Sequence, residues 1–215
     1  MKTLLTFFGI YFVIIINSFG QDQIDYRNKE KIYTNLEEAL KNPSAVFKLN
    51  LSNQDLKISH ENWLKFKNLE YLKLTSDHLK SLPKEILELK NLKTLDISSN
   101  DFEILPDDFA KLENLEELYL NDEKKLNLPK TLKMLGKMPK LKSLHLENDN
   151  LIKFPENIFK LRNLESLYLN NNSLKEIPKQ IKGLDHLQYL DLNDNPINPS
   201  NFDVQRFNFG FKIQF

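Results

Sequence analysis

The side chains that most often perform chemistry are few and scattered in this sequence. It has no cysteine and four histidines, and these form neither an HExxH motif nor any other metal-ligand spacing. His145 and Glu147 alternate along one segment and could share a hydrogen bond, but an exposed pair lacks the water-excluding pocket that catalysis usually requires. A GxSxG nucleophile motif and a phosphate-binding loop are also missing. The sequence therefore predicts a protein that is not an enzyme and that needs no cofactor or metal ion.

The composition limits the classes of partner. The 215 residues include 30 basic and 30 acidic side chains, so the formal net charge is zero. Nucleic acid is not expected as a partner, because phosphate binding needs an excess of basic residues. Without cysteine the chain can form no disulfide, no thiolate metal site and no lipid anchor attached through a thiol.

Residues 1–20 are predicted to be a signal peptide. Lys2 precedes an apolar run over residues 4–16, and the small residues Ser18 and Gly20 suit a cleavage site after position 20. The apolar run is shorter than the roughly 20 residues that a membrane span needs, so no stable span is expected after cleavage. An uncleaved anchor is the alternative. Export without cysteine favours a bacterial protein that is secreted, periplasmic or on the cell surface.

An internal repeat of 23 residues organises the rest of the chain. Seven units are predicted, at residues 46–68, 69–91, 92–114, 115–140, 141–163, 164–186 and, truncated, 187–198. In each unit an LxxLxL segment alternates apolar and polar residues, which predicts a short strand with one buried face. In the following LPxxIxxLxN segment a spacing of three predicts one or two turns of irregular or 3₁₀-like helix, entered at a proline. No unit can bury its leucines alone, so the units must stack.

These units resemble the leucine-rich repeat family. Residues 69–114 and 141–186 follow the template LxxLxLxxNxLxxLPxxIxxLxN almost completely, and the 23-residue LPxxI type resembles bacterial exported members. The resemblance implies an α/β solenoid that curves as a right-handed horseshoe arc. It also implies a parallel sheet on the concave face, short helical or 3₁₀ segments on the convex face, and a concave face that binds a macromolecule.

The resemblance assigns a structural role to one polar column, in which asparagine amides pair with turn backbone within and between units. Its predicted members are Asp77, Asn100, Asp149, Asn172 and Asn195. Gln54 and Glu123 occupy the same column with longer side chains, so we expect looser pairing there.

Unit four departs from the template. Lys125 stands where leucine is expected, and Leu126 is predicted to fill that place. Three additional residues follow Pro129, which predicts one added helical turn on the convex side. A functional protrusion and a tolerated insertion are both compatible with this pattern.

Both ends of a solenoid need caps, because terminal units expose apolar faces. Residues 21–45 are predicted to form a linker and a helical cap, with Thr34 and Glu37 as a capping box for a helix over residues 34–42. Residues 199–215 are predicted to end in a cap strand, because Phe207, Phe209 and later apolar residues alternate with polar or small ones. An outer-membrane barrel strand is the rejected alternative, since one strand cannot close a barrel.

The outward-facing strand residues are the predicted binding surface. Together with the residue just beyond each strand, they include six acids, two lysines and one histidine, so we expect a protein partner with a basic patch. The predicted partner-binding residues are Tyr71, Lys73, Asp96, Glu117, Tyr119, His145, Glu147, Tyr168, Asn170, Tyr189 and Asp191.

Tyr119, His145 and Tyr168 take the same place in successive units and are predicted to stack at the contact centre. Plain cross-strand packing is the other interpretation of this ladder.

A non-enzymatic, exported protein-binding or scaffold module, acting as a monomer, is the predicted function. Two alternatives stay open: a carbohydrate binder whose tyrosines stack on sugar rings, and a structural element of an envelope assembly.

Overall fold

The computed structural model describes residues 29–54, 58–198 and 210–215. The predicted signal peptide, together with Phe207 and Phe209 of the predicted C-terminal strand, lies outside the described residues.

Nine short strands form one open parallel sheet in chain order. They are β1 (Ile32–Tyr33), β2 (Lys48–Asn50), β3 (Tyr71–Lys73), β4 (Thr94–Asp96), β5 (Glu117–Tyr119), β6 (Ser143–His145), β7 (Ser166–Tyr168), β8 (Tyr189–Asp191) and β9 (Lys212–Gln214). Each strand pairs in register with the next, so equivalent repeat positions lie side by side across the sheet. This is the predicted α/β repeat solenoid, and the predicted fold class is confirmed.

The core is built from the central residue of each strand and from the apolar residues of the helical side. Leu72, Leu95, Leu118, Leu144 and Leu167 point inward and have no exposed surface. Each of these leucines stabilises the fold by about 1.5–3 kcal/mol through burial, and stacking joins them into one continuous core.

Each of the strands β2–β8 is followed by a turn residue in the left-handed region. The φ angles are +60° at Asn53, +58° at Ser76 and Ser99, +60° at Asp122 and Asn148, and +55° at Asn171 and Asp194. Asparagine and aspartate tolerate this region better than most other non-glycine residues because their short polar side chains can bond locally. The repeat therefore turns away from the sheet without glycine.

The return segments are mostly 3₁₀ helices, as predicted. Those that follow a proline span Lys84–Glu88, Glu156–Lys160 and Lys179–Gly183, and they begin with Ile86, Ile158 or Ile181 donating its N–H to the proline carbonyl. Phe109–Lys111 and Pro43–Ala45 are shorter 3₁₀ segments. A one-turn α-helix, α2 (His60–Trp63), buries Trp63 in the first unit.

Unit four instead contains a true α-helix, α3 (Leu128–Leu135), which is the predicted extra turn. The side chain of Asn127 accepts a hydrogen bond from the N–H of Lys130 and caps this helix. Leu126 packs partly buried against the core while Lys125 is exposed, so Leu126 does take the place that the template gives to leucine.

The N-terminal cap differs from the sequence-based prediction. The helix α1 is only Leu36–Ala39, and its cap is Asn35, whose side chain accepts the N–H of Glu38 at 2.9 Å. The predicted Thr34–Glu37 capping box is therefore wrong, because Asn35 is an equally good cap one residue later. Strand β1, which extends the sheet by pairing with β2, was not predicted for residues 21–45.

At the other end, β9 pairs in parallel with β8. Phe211 and Ile213 pack partly buried against the core, whereas Phe215 keeps 45% of its surface exposed.

Candidate functional site

The outward side chains of strands β2–β8 form a continuous surface, here called the sheet face. Strand register brings the second outward position of each unit into one row, in the order Lys73, Asp96, Tyr119, His145, Tyr168, Asp191. An aromatic centre is thus flanked on each side by an acid.

Three rings at the middle of this row stack face to face. The ring centroids of Tyr119 and His145 are 3.7 Å apart with a 17° angle between planes, and those of His145 and Tyr168 are 4.1 Å apart at 6°. Tyr189 lies next to Tyr168 at 5.3 Å but is tilted by 50°. The strand spacing of roughly 4.8 Å explains the stack, because it sets flat side chains on adjacent strands almost in contact.

Two glutamates hold the central imidazole. The Nε2 atom of His145 is 3.3 Å from Oε1 of Glu117, and its Nδ1 atom is 3.3 Å from Oε1 of Glu147. Glu117 also accepts a hydrogen bond from the hydroxyl of Tyr119 at 2.9 Å. His145 is only 6% exposed, so its imidazole is enclosed by these neighbours without any partner bound.

The electrostatics of this cluster favour an imidazolium ion. Burial, the largest single effect, would lower the pKa of His145, but the hydrogen bonds and the negative charges of Glu117 and Glu147 together raise the pKa above its usual value. The hydrogen bond from His145 lowers the pKa of Glu117 in turn, in opposition to burial. Burial and the neighbouring Glu117 raise the pKa of Tyr119, so that tyrosine stays a neutral donor. With His145 protonated, two carboxylates and one cation leave one net negative charge.

The flanking acids are also engaged within the protein. Asp96 lies 2.8 Å from Nζ of Lys73 and accepts the N–H of Ser98. Asp191 accepts the hydroxyl of Tyr189 at 3.3 Å and the N–H of Asn193 at 3.0 Å. Part of the negative charge counted from the sequence is therefore already neutralised.

The predicted site residues thus fall into groups. Glu117, Tyr119, His145, Glu147 and Tyr168 form one contiguous cluster.

Lys73 and Asp96 form an ion pair on one side of this cluster, with Tyr71 two residues before Lys73 on β3. Tyr189 and Asp191 lie on the other side. Asn170 follows Tyr168 by two positions and lies just beyond the end of β7.

One further contact was missed by sequence reasoning. Gln214 of β9 accepts a hydrogen bond from the hydroxyl of Tyr189 at 2.7 Å. The alternation of the C-terminal segment could have revealed it, because that alternation turns Gln214 outward beside Asp191.

The asparagine column makes the contacts that define a repeat ladder. The amide of Asn100 donates to the carbonyls of Leu74 and Ile97, both at 2.8 Å, and its carbonyl oxygen accepts from the N–H groups of Asp77 and Leu79. Asn172 and Asn195 repeat this arrangement in later units.

The acidic members of the column act only as acceptors. Asp77 accepts the N–H of Gln54 at 2.7 Å, and Asp149 accepts the N–H of Glu123 at 2.8 Å. Glu123 accepts the N–H of Asn100 at 2.7 Å, so its longer side chain does reach the ladder, but its Oε2 atom is buried without a partner among the described residues. The looser pairing expected at Glu123 therefore stays a prediction. Gln54 instead uses its side-chain amide to donate to the carbonyl of Thr34 in the N-terminal cap.

Within residues 29–54, 58–198 and 210–215, no group of three or more His, Asp or Glu side chains has a metal-binding arrangement. No described helix has the length and apolar character needed to cross a bilayer.

The fold and this surface define a repeat protein whose open sheet face carries a preformed aromatic and acidic cluster. Family models described as "Leucine-rich repeat region" and "Leucine rich repeat" match residues 44–135 and 139–197. The chain therefore belongs to the leucine-rich repeat family. Its assignment to the LPxxI type stays a prediction.

Solved structures show the same fold. A leucine-rich repeat protein of Leptospira interrogans is 30% identical with a TM-score of 0.56, and the match covers 77% of this chain and 53% of that chain. Internalin C2 of Listeria monocytogenes is 22% identical with a TM-score of 0.59, covering 79% of this chain and 71% of that chain.

A chain in the Toll–Spatzle complex of Drosophila is 19% identical with a TM-score of 0.57, covering 69% of this chain and 19% of that chain. The protein spans about half the length of the Leptospira relative. No curated protein matches the sequence.

Proposed function

We propose that this protein is an exported, non-enzymatic binding module that recognises a protein partner through its sheet face. Leucine-rich repeat domains generally mediate protein–protein interactions and are typically not enzymes. The contact centre is the stack of Tyr119, His145 and Tyr168 together with Glu117 and Glu147.

The preformed stack is the observation that carries this proposal. Binding normally costs free energy because side chains lose freedom at the interface. Here the rings are fixed by one another and by the glutamates, with separations of 3.7 and 4.1 Å, so little freedom is left to lose. Rigid aromatic side chains are common hot spots in protein interfaces.

The same geometry argues against carbohydrate as the main ligand. Sugar rings stack on exposed aromatic faces, but both faces of His145 and one face of each flanking tyrosine are covered within the stack. The stack offers a partner mainly ring edges, a tyrosine hydroxyl and carboxylate oxygens. These groups suit the backbone and the basic side chains of a protein.

The remaining negative charge defines the partner's complementary surface. Glu117 and Glu147 share a single cation, His145, so the centre keeps one net negative charge when that imidazole is protonated. A basic patch on the partner would meet this charge and speed association at low salt.

The proposal is tested by capture and by measured affinity. Purified protein serves as bait for envelope and surface extracts of its source organism, and captured proteins are identified by mass spectrometry. The Tyr119→Ala, Tyr168→Ala double variant is the test bait. Ile152→Ala, which trims a side chain that is 70% exposed outside the strands, is the matched control.

We expect a protein that the parent and Ile152→Ala capture equally and that the double variant loses. The double variant should weaken its affinity by at least roughly tenfold, as hot-spot truncations do. Equal capture by all three baits, with native circular dichroism, would refute the sheet face as the binding surface. Glycan-array binding that depends on Tyr119 and Tyr168 would replace a protein partner with a carbohydrate.

A further inference from the structure

A groove of about 690 Å³ lies beside α3, on the helical side of the solenoid and away from the sheet face. The preceding repeat contributes Ile104 and Leu105, α3 contributes Pro129 and Met134, and the following repeat contributes Asn157. It arises because unit four carries an eight-residue α-helix where its neighbours carry 3₁₀ segments of three and five residues.

The apolar lining of this groove is open to solvent. Ile104 keeps 42% of its surface exposed, and Met134 is only partly buried although both side chains are apolar. Core packing does not account for Ile104, since Leu105 beside it is the residue that enters the core. Exposed apolar side chains that gather in a groove with a polar rim are typical of interaction sites.

The rim of the groove is basic. Lys130, Lys133 and Lys137 line it together with one acid, Asp107. Nζ of Lys130 lies 2.8 Å from Asp107, whereas Lys133 and Lys137 form no ion pair with any described residue. Two uncompensated cations therefore border an apolar floor, in contrast to the acidic centre of the sheet face.

We propose that this groove is a second docking site, which binds an acidic peptide segment of a partner protein that carries an apolar anchor residue. The anchor fills the space between Ile104 and Met134, and the carboxylates of the segment meet Lys133 and Lys137.

The polar part of the lining favours a peptide over a lipid chain. Asn127 and Asn157 line the groove. Oδ1 of Asn127 accepts the N–H of Lys130 and Nδ2 of Asn157 donates to the carbonyl of Pro129, so each amide keeps its other polar atom for a ligand. A hydrocarbon chain would cover these two atoms without pairing them, which costs free energy, whereas peptide N–H and C=O groups can bond to them. The site uses none of the sheet-face residues, so the test of this site and the test of the function proposed above have independent outcomes.

The methionines allow a direct test. The chain has three, Met1, Met134 and Met138; Met134 lines the groove, while Met138 is 4% exposed and packs in the core. Protein labelled with ¹³C at the methionine methyl groups is titrated with a degenerate pool of peptides of about 12 residues, rich in Glu, Asp, Leu and Phe. A pool with Lys in place of the acids and a pool with Ser in place of the apolar residues are the comparison probes.

The acidic, apolar pool should shift the Met134 methyl signal saturably and leave the Met138 signal nearly unchanged. The two comparison pools should shift neither signal. Lys133→Glu with Lys137→Glu should weaken the interaction by at least roughly tenfold. The matched control is Lys175→Glu with Lys179→Glu, which changes two exposed lysines on another repeat. It should leave the interaction unchanged.

The proposal is overturned if no pool shifts Met134, if the lysine pool shifts it equally, or if the two charge-reversal variants behave alike. A Met134 shift caused by vesicles of phosphatidylglycerol but not by the acidic pool would also overturn it, in favour of a lipid surface. Thermal melting of each variant confirms that the fold is retained.

Discussion

Two acids occupy consecutive places in the asparagine column around unit four. The N–H of Glu123 donates to Oδ1 of Asp149 at 2.8 Å, and Oε1 of Glu123 accepts the N–H of Asn100 at 2.7 Å. Glu123 is only 4% exposed, and its Oε2 atom is buried with no hydrogen-bond partner in the described part of the chain. An ionised carboxylate cannot donate as the amide of Asn172 does, so a protonated acid fits this column better.

Burial and mutual repulsion place a proton here near neutral pH. Burial, with smaller contributions from the charges of Asp101 and Asp122, raises the pKa of Glu123 to about 7. Burial, followed by repulsion from Glu123, Asp122 and Glu147, raises the pKa of Asp149 to about 7. Both values lie above those of the unfolded chain, so the pair stabilises the fold at acidic pH and loses that contribution as pH rises through about 7.

The expected loss follows from the proton count. The two acids repel each other, and we therefore count one extra proton for the pair rather than two. Over about two pH units the folded protein holds one proton more than the unfolded chain, and each pH unit then changes the free energy of unfolding by 1.36 kcal/mol. The free energy of unfolding should therefore fall by about 2.5 kcal/mol between pH 5 and pH 8. His145 acts in the same direction because its pKa is also raised, whereas carboxyls with lowered pKa, such as Glu117, act only below about pH 4.5.

Urea unfolding at pH 5, 6.5 and 8 measures this effect. Glu123→Gln with Asp149→Asn should be more stable than the parent by about 2 kcal/mol at pH 8 and nearly equal to it at pH 5. Asp194→Asn is the control, because Asp194 is an exposed carboxylate next to the same column and its φ of +55° suits asparagine equally well. A parent whose stability is flat from pH 5 to 8, or a double variant with the parent's slope, would refute this reasoning.

Two further substitutions test packing and the ladder. Thr131→Val in α3 should raise the free energy of unfolding by about 1 kcal/mol in urea melts, because the Thr131 hydroxyl is buried and has no partner among the residues that the structure describes. A loss of stability would mean that the hydroxyl does form a bond. Asn172→Ala should lower the free energy of unfolding by about 3 kcal/mol, since the Asn172 amide pairs with the carbonyls of Leu146 and Leu169 at 2.9 and 3.0 Å. An effect below about 1 kcal/mol would show that the ladder adds little to stability.

The sequence by itself determined the architecture, because the repeat period carries most of the information in a solenoid. Each unit contacts mainly its neighbours and repeats the same structure, so a strand located in one unit locates the equivalent strand in every other unit. The stack of Tyr119, His145 and Tyr168 could be predicted in this way, since in-register parallel strands must place equivalent residues side by side. The helix in unit four could be predicted as well, because three extra residues have room only on the helical side.

Only the tertiary structure decided which polar atoms meet. The ion pair of Lys73 with Asp96 and the clamp of Glu117 and Glu147 on His145 depend on side-chain conformations across strands, which no spacing rule specifies. The fit of Glu123 in the asparagine column depends on the local path of unit four. The groove beside α3 likewise exists only because a longer helix packs between two shorter segments, and the space left by that mismatch is a property of three repeats together.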